Sequence, residues 1–224
     1  MADQQKLLQI DMTVELYFWD IPKTKIFPAL LRISRHFISL RMHRDISFFK
    51  LLGTGKGETF TPRDANLSRW GLLLVSKNFE NKNVIKSWQQ IATSEKYFQL
   101  SPIAAHGKWA QKSPFQISAP QSTNSEIVVI TRAKIKYRHI FKFWANVPPV
   151  VSSLKAAPGL IEAFGIGESP LGLQGTFSIW KNEASIKDFA FKGAAHALVI
   201  RKTHEIGWYS EELFARFEVI SKAE

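Results

Sequence analysis

The chain has six histidines and no cysteine, so imidazole and carboxylate are its only strong metal ligands, and thiolate chemistry is excluded. His36 and His43 are seven residues apart, His196 and His204 eight. On a helix either spacing separates the rings by roughly 10 Å, too far to share one ion. There is no HExxH pair and no G-x-S-x-G elbow. Ligation by a single imidazole, as in a haem, stays open. His196 is placed for it: with Ile186, Phe189, Gly193, Ile200 and Thr203 it follows a 3–4 spacing, so it belongs to the inward stripe of the last helix. Gly193, Ala194, Ala195 and Ala197 beside it leave room for something flat and wide. A core histidine bonded to a backbone carbonyl has the same spacing. His139 and His204 read as outer-face residues, and His106 sits near a strand end.

Arg132 is the second anomaly. In IVVITRAKI (127–135) it shares an alternating face with Val128 and Ile130. An inward guanidinium needs an anionic partner, such as a propionate or a developing oxyanion; at a strand end it reaches water instead. Glu168, Glu211 and Glu212 are acidic candidates, each read singly as a surface or capping group. GTGKGETF (53–60) lacks the closing Gly-Lys-Ser/Thr of a phosphate loop and reads as a strand-end turn.

The elements that must position these groups come in two rounds. Strands are expected at Thr13–Ile21, Ile46–Leu52 (stopped by Gly53, Gly55 and Gly57), Trp70–Ser76 and Phe98–Ala105. Helices are expected from Lys25 to Arg44 and from Glu80 to Tyr97. Gln111–Ser125, polar and with two prolines, reads as a linker. The order then repeats. Strands fall at Ile127–Ile135, Leu160–Ile166 (stopped by Gly165 and Gly167), Gly175–Trp180 and Glu212–Ile220. Helices run over Tyr137–Ala156, loosened at Pro148 and Pro149, and over Glu183–Ile206, closed by Gly207. KLLGTG and WGLLLVSKN in the first half match AFGIGE and GTFSIWKN in the second. The reading is α+β: tandem ferredoxin-like units, βαββαβ twice, over 13–110 and 126–224, joined by 111–125. Face-to-face pairing of the two sheets gives a dimeric α+β barrel within one chain.

Composition bounds the function. Of 224 residues, 30 are basic and 19 acidic, for a net charge of +11, while 45% are apolar, too many for a disordered polycation. The basic residues do not form blocks, which argues against nucleic acid. The densest cluster (Arg32, Arg35, His36, Arg41, His43 and Arg44) interleaves with apolar residues as a basic amphipathic helix, a solvated face or a membrane-surface face. No apolar run is long enough to span a bilayer, and the start has no secretory h-region, so a cytoplasmic protein is expected.

Several blocks together resemble the spheroidene monooxygenase family: FFKLLGTG (48–55) with FTP (60–62), TRA (131–133), FW..VP (143–148), IGE (166–168), Q.TFSIW (174–180) and GWYSEELFARF (207–217). The resemblance implies a haem-dependent monooxygenase that uses O2 and electrons from a ferredoxin-type donor to hydroxylate and then ketonise an acyclic carotenoid. It implies haem b held by His196 on its iron, with Phe164, Phe177, Phe214 and Ile200 lining the cofactor site. Arg132 is the candidate to steady bound oxygen or a propionate. The positive charge then serves the ferredoxin, peripheral contact with an anionic membrane surface, or both. The residues also suit a haem enzyme or carrier of another kind (dehydratase or peroxidase-like), or a cofactor-free small-molecule monooxygenase in which His196 is simply packed. Oligomeric state is left open.

Overall fold

Along β1 (Thr13–Asp20), Val14, Leu16 and Phe18 enter one packed core, while Tyr17 and Trp19 join another on the opposite face. β3 (Ala65–Ser76) alternates likewise, with Leu73 and Val75 on the first side and Leu72 and Leu74 on the second. A sheet that is apolar on both faces needs two covers, and here the covers are a second sheet and a helix layer.

The computed structural model describes residues 12–57, 59, 61–77, 83–122, 124–168, 175–192 and 206–224. After β1 come α1 (Ile26–Met42), β2 (Ile46–Gly55), β3, α2 (Asn83–Gln89) and β4 (Ser94–Gly107). The second round is β5 (Ile127–Ile135), α3 (Ile140–Lys155), β6 (Leu160–Gly167), β7 (Gly175–Trp180), α4 (Glu183–Lys192) and β8 (Tyr209–Ala223). Eight antiparallel strands close in the order β1-β3-β2-β6-β7-β5-β8-β4. This is the tandem ferredoxin-like barrel that the order of elements implies. Inside it, Phe18, Phe164 and Phe177 meet at ring-centroid distances of 4.9–5.0 Å, joining the two halves in one core.

The two seams between the halves differ. β4 pairs with β8 along Tyr97–Gly107, whereas β2 meets β6 only where Gly53, Thr54 and Gly55 face Gly167, Ile166 and Gly165. The glycines expected to stop these strands instead carry them into the seam. The halves also keep constant spacing: Thr13, Ile26 and Ile46 open elements whose counterparts open at Ile127, Ile140 and Leu160. Both β2 and β6 shift register just after their first residue. This equates Gly53 with Gly167.

Two further expectations change. The second helix ends at Gln89, not Tyr97, because Tyr97 pairs with Tyr17 in β4 and its neighbour Phe98 enters the barrel core. The linker is not a bystander: Phe115 is buried in the barrel, as is Trp109 just ahead of the linker, and Phe115 meets Phe217 edge-on at 4.8 Å. Burying each such ring contributes about 1.5–3 kcal/mol. β4 leaves for this segment at Gly107 (φ +87°), where a Cβ would lie 2.1 Å from the Glu212 carbonyl oxygen. Only glycine makes that turn. Glu218 holds the far end, accepting hydrogen bonds from the Gln121 and Ser122 N–H groups and from Ser125 Oγ at 2.6–2.9 Å.

On the outer face of the first sheet, Trp19 and Trp70 lie beneath the helix layer, and Trp88 of α2 stacks on Trp19 at 5.3 Å. His36, expected among solvated basic residues, turns inward beside Trp88 and is 5% exposed, with Nδ1 unpartnered. Burial, then the Arg32 and Arg35 charges, hold its pKa below the ordinary histidine value. A depressed histidine pKa favours the neutral ring. Its contribution to stability is complete above about pH 6.5 and is lost as pH falls below that. Urea unfolding should therefore show stability dropping between pH 7.5 and 5, with a shallower drop in His36→Phe.

Candidate functional site

At the C-terminal end of β5, Arg132 follows Val128 and Ile130 on the interior face and arrives at the barrel mouth. Its guanidinium pairs with Glu211 of β8 and, at 3.3 Å, with Glu168 after β6. Lys50 of β2 and the indole N–H of Trp109 also reach Glu168. Lys50 Nζ lies 5.9 Å from the Trp109 ring centre and the Arg132 guanidinium 6.0 Å. Two cations and two carboxylates thus cancel around one aromatic ring. Arg132, Glu168, Glu211 and Trp109 border a cavity of about 450 Å³ whose other walls include Lys134, Leu52, Ile135, Ile140 and Ile166. The anion that an inward Arg132 requires is supplied by the chain itself.

Glu211 does a second job. Ala110 and Gln111 hold positive φ angles of 53° and 63°, a conformation costing about 1–2 kcal/mol per non-glycine residue. Their consecutive N–H groups donate to the two Glu211 carboxylate oxygens at 3.0 and 2.7 Å, a backbone anion nest. Burial pushes the Glu211 pKa up, but these N–H groups and Arg132 outweigh it, and the carboxyl titrates below the ordinary glutamate value. Sequence reading had noted Glu168 and Glu211 singly and had missed Lys50 and Trp109, which only the closed barrel brings to them.

The outer face of the second sheet is built differently from that of the first. Thr176, Thr131 and Phe214 form one row across β7, β5 and β8, continued by His106 on β4. The corresponding row of the first sheet is Leu72, Tyr17 and Tyr97. The next position on β5 is Ala133, where β1 has Trp19. Large rings thus fill the first face, and small side chains leave a shelf on the second. Toward the other end of this face, Ile127, Val129, Trp180 and Ile186 pack together. A separate cluster of Phe143, Trp144, Val147 and Val151 belongs to α3, and Phe143 touches the Trp208 and Tyr209 rings. Phe214 on the shelf is 40% exposed.

The residues expected to line one site are therefore divided. Phe164 and Phe177 belong to the packed barrel core, Arg132 to its mouth, and Phe214 to the outer shelf, because neighbouring positions on a strand face opposite ways. His196, His204 and Ile200 lie outside the described residues. Among the described residues no three histidine or carboxylate groups converge on a metal position. Glu211→Gln should lower stability at pH 7 by about 2 kcal/mol, since it removes the charge that Arg132 and the nest share. The wild-type advantage exists above about pH 4.3 and vanishes as acid protonates the carboxyl. Urea titrations of both proteins at pH 7 and below pH 4 test this.

No family model matches the chain. Among solved structures, aldoxime dehydratase superposes with a TM-score of 0.54 at 10% identity, over 95% of this chain and 82% of that one. An aldoxime dehydratase in complex with butyraldoxime gives 0.51 at 12% identity, over 93% and 79%. These likenesses concern the fold alone. Spheroidene monooxygenase of Rhodobacter capsulatus is 34% identical over 204 residues, which are 84% of this chain and 83% of that protein. Spheroidene monooxygenase of Cereibacter sphaeroides is 32% identical over 77% of this chain and 56% of its own length. With such identity across most of both sequences, the chain belongs to the spheroidene monooxygenase family.

Proposed function

We propose that this protein is a haem-dependent monooxygenase that hydroxylates and then ketonises an acyclic carotenoid of the spheroidene type, using O2 and electrons from a ferredoxin. The observation that carries the reading is the identity with the R. capsulatus protein over most of both chains. The shelf of the second sheet supports the cofactor. Its small residues stand where the first half has tyrosine and tryptophan.

His196 is the proposed iron ligand. By spacing it belongs to the stripe that begins with Ile186 and Phe189, and both of these pack into the cluster around Trp180 on the outer side of the sheet. Thr131, Ala133, Thr176 and Phe214 would form the floor. Haem bound there would supply O2 activation and one-electron chemistry with an imidazole ligand in place of a thiolate. The protein's own part is to exclude water and position hydrocarbon. Phe143, Val147 and Val151 of α3 offer apolar wall, and each Å² of polyene removed from water contributes about 25 cal/mol. Arg132 stands on the interior side of β5 and in this reading takes no part in holding the group; it orders the mouth and the linker.

Expression with ample haem should give a Soret band that His196→Ala abolishes or strongly weakens. Ala133→Trp, which fills the shelf, should cut haem content several-fold, whereas Arg132→Leu should leave the Soret maximum in place. Incubation of the purified protein with spheroidene, O2 and reduced ferredoxin should yield hydroxylated and keto products. A folded, active, haem-free enzyme would instead establish the cofactor-free reading.

A further inference from the structure

α1 is apolar on two opposite faces. Its inner face buries Ala29, His36 and Leu40. On its outer face Phe27, Leu31, Ile38 and Met42 are 70%, 58%, 63% and 79% exposed. At 100° per residue these four fall within an arc of about 60°, directly opposite the buried side. Arg35 and Arg41 flank the arc on its two edges, and both are exposed. Among the described residues, neither enters an ion pair. The second half provides an internal control. Constant spacing makes Phe141, Ala145 and Ser152 of α3 and Ala156 just after it the counterparts of the four, and only Phe141 is large and apolar. The outer stripe is thus a property of α1 and not a requirement of the barrel.

We propose that the outer face of α1 docks on an anionic phospholipid bilayer, with Phe27, Leu31, Ile38 and Met42 entering the acyl boundary and Arg35 and Arg41 meeting lipid phosphates. An exposed apolar stripe flanked by cations has the composition of an interfacial helix. The alternative occupant, a second copy of the chain, would bring arginine against arginine on a protein already carrying +11. Docking of this kind is independent of the proposed activity and is read without haem or substrate.

The test is co-sedimentation of the full chain with vesicles of phosphatidylcholine and phosphatidylglycerol, against phosphatidylcholine alone. Binding should favour the anionic vesicles and weaken in about 0.5 M salt. Arg35→Gln with Arg41→Gln should weaken it about 25-fold, at roughly 1 kcal/mol per charge. Ile38→Ser with Met42→Ser should weaken it at least about tenfold, since two apolar side chains no longer enter the lipid. Both variants alter only the solvent face and should keep the wild-type circular dichroism and melting. Equal affinity for neutral and anionic vesicles, or unchanged binding by either variant, overturns the proposal. So does a dimer in light scattering that Ile38→Ser with Met42→Ser dissociates, which would assign the face to a second copy.

Discussion

The two four-stranded sheets that share this apolar interior bond to each other at both pairs of edges, and that closure governs the rest of the molecule. At the short seam, backbone at Gly53–Gly55 meets backbone at Gly165–Gly167. Each unpaired strand edge would otherwise expose its N–H and carbonyl groups. Closure also fixes which side chains are enclosed. Phe18 of the first half touches Phe164 and Phe177 of the second, so neither half has a complete core alone. It is the closed barrel, too, that brings Lys50 of β2 within reach of Glu168, which lies beyond the end of β6 in the other half.

Once the barrel is closed, strand alternation divides the chemistry. Thr131, Arg132 and Ala133 are consecutive, yet the middle one belongs to the mouth and the outer two to the shelf. A site assembled from both sets would have to span the sheet. The mouth pairs Arg132 and Lys50 with Glu168 and Glu211, and Glu211 in turn holds the start of the connecting segment in place. The shelf sets the small groups Thr131, Ala133 and Thr176 beside Phe214, with Glu212 paired to Ala133 at its edge. Their division of labour follows from the two-residue period of a strand.

Much of this was legible in the residues. β5 and β7 fall at their expected limits because β-branched and aromatic runs end at unmistakable boundaries. The glycines of β2 and β6 misled because a glycine that ends a strand and one that lets two strands meet look alike in a single sequence. Tyr97 misled because helical spacing from Val84 through Ile91 happens to continue to it, while its pairing partner Tyr17 is far away in sequence. Trp109 and Phe115 went unread as core because their neighbours are polar; only the interior they fill identifies them. Arg132 could be read as inward or as a strand-end residue reaching water; it is inward, and what decides this are partners after β6 and on β8, long-range pairings that local pattern does not report.

The tryptophan-sealed face of the first sheet has a further consequence, for stoichiometry. A barrel assembled from two identical half-chains would offer the same outer surface twice, and any ligand would bind in pairs. Here the halves are one polypeptide and can differ. Tyr17 and Trp19 pack into the first half's outer cluster at the positions that Thr131 and Ala133 hold in the second. With haem bound as proposed, such a chain would hold one per molecule, and its other half would serve only to complete the barrel.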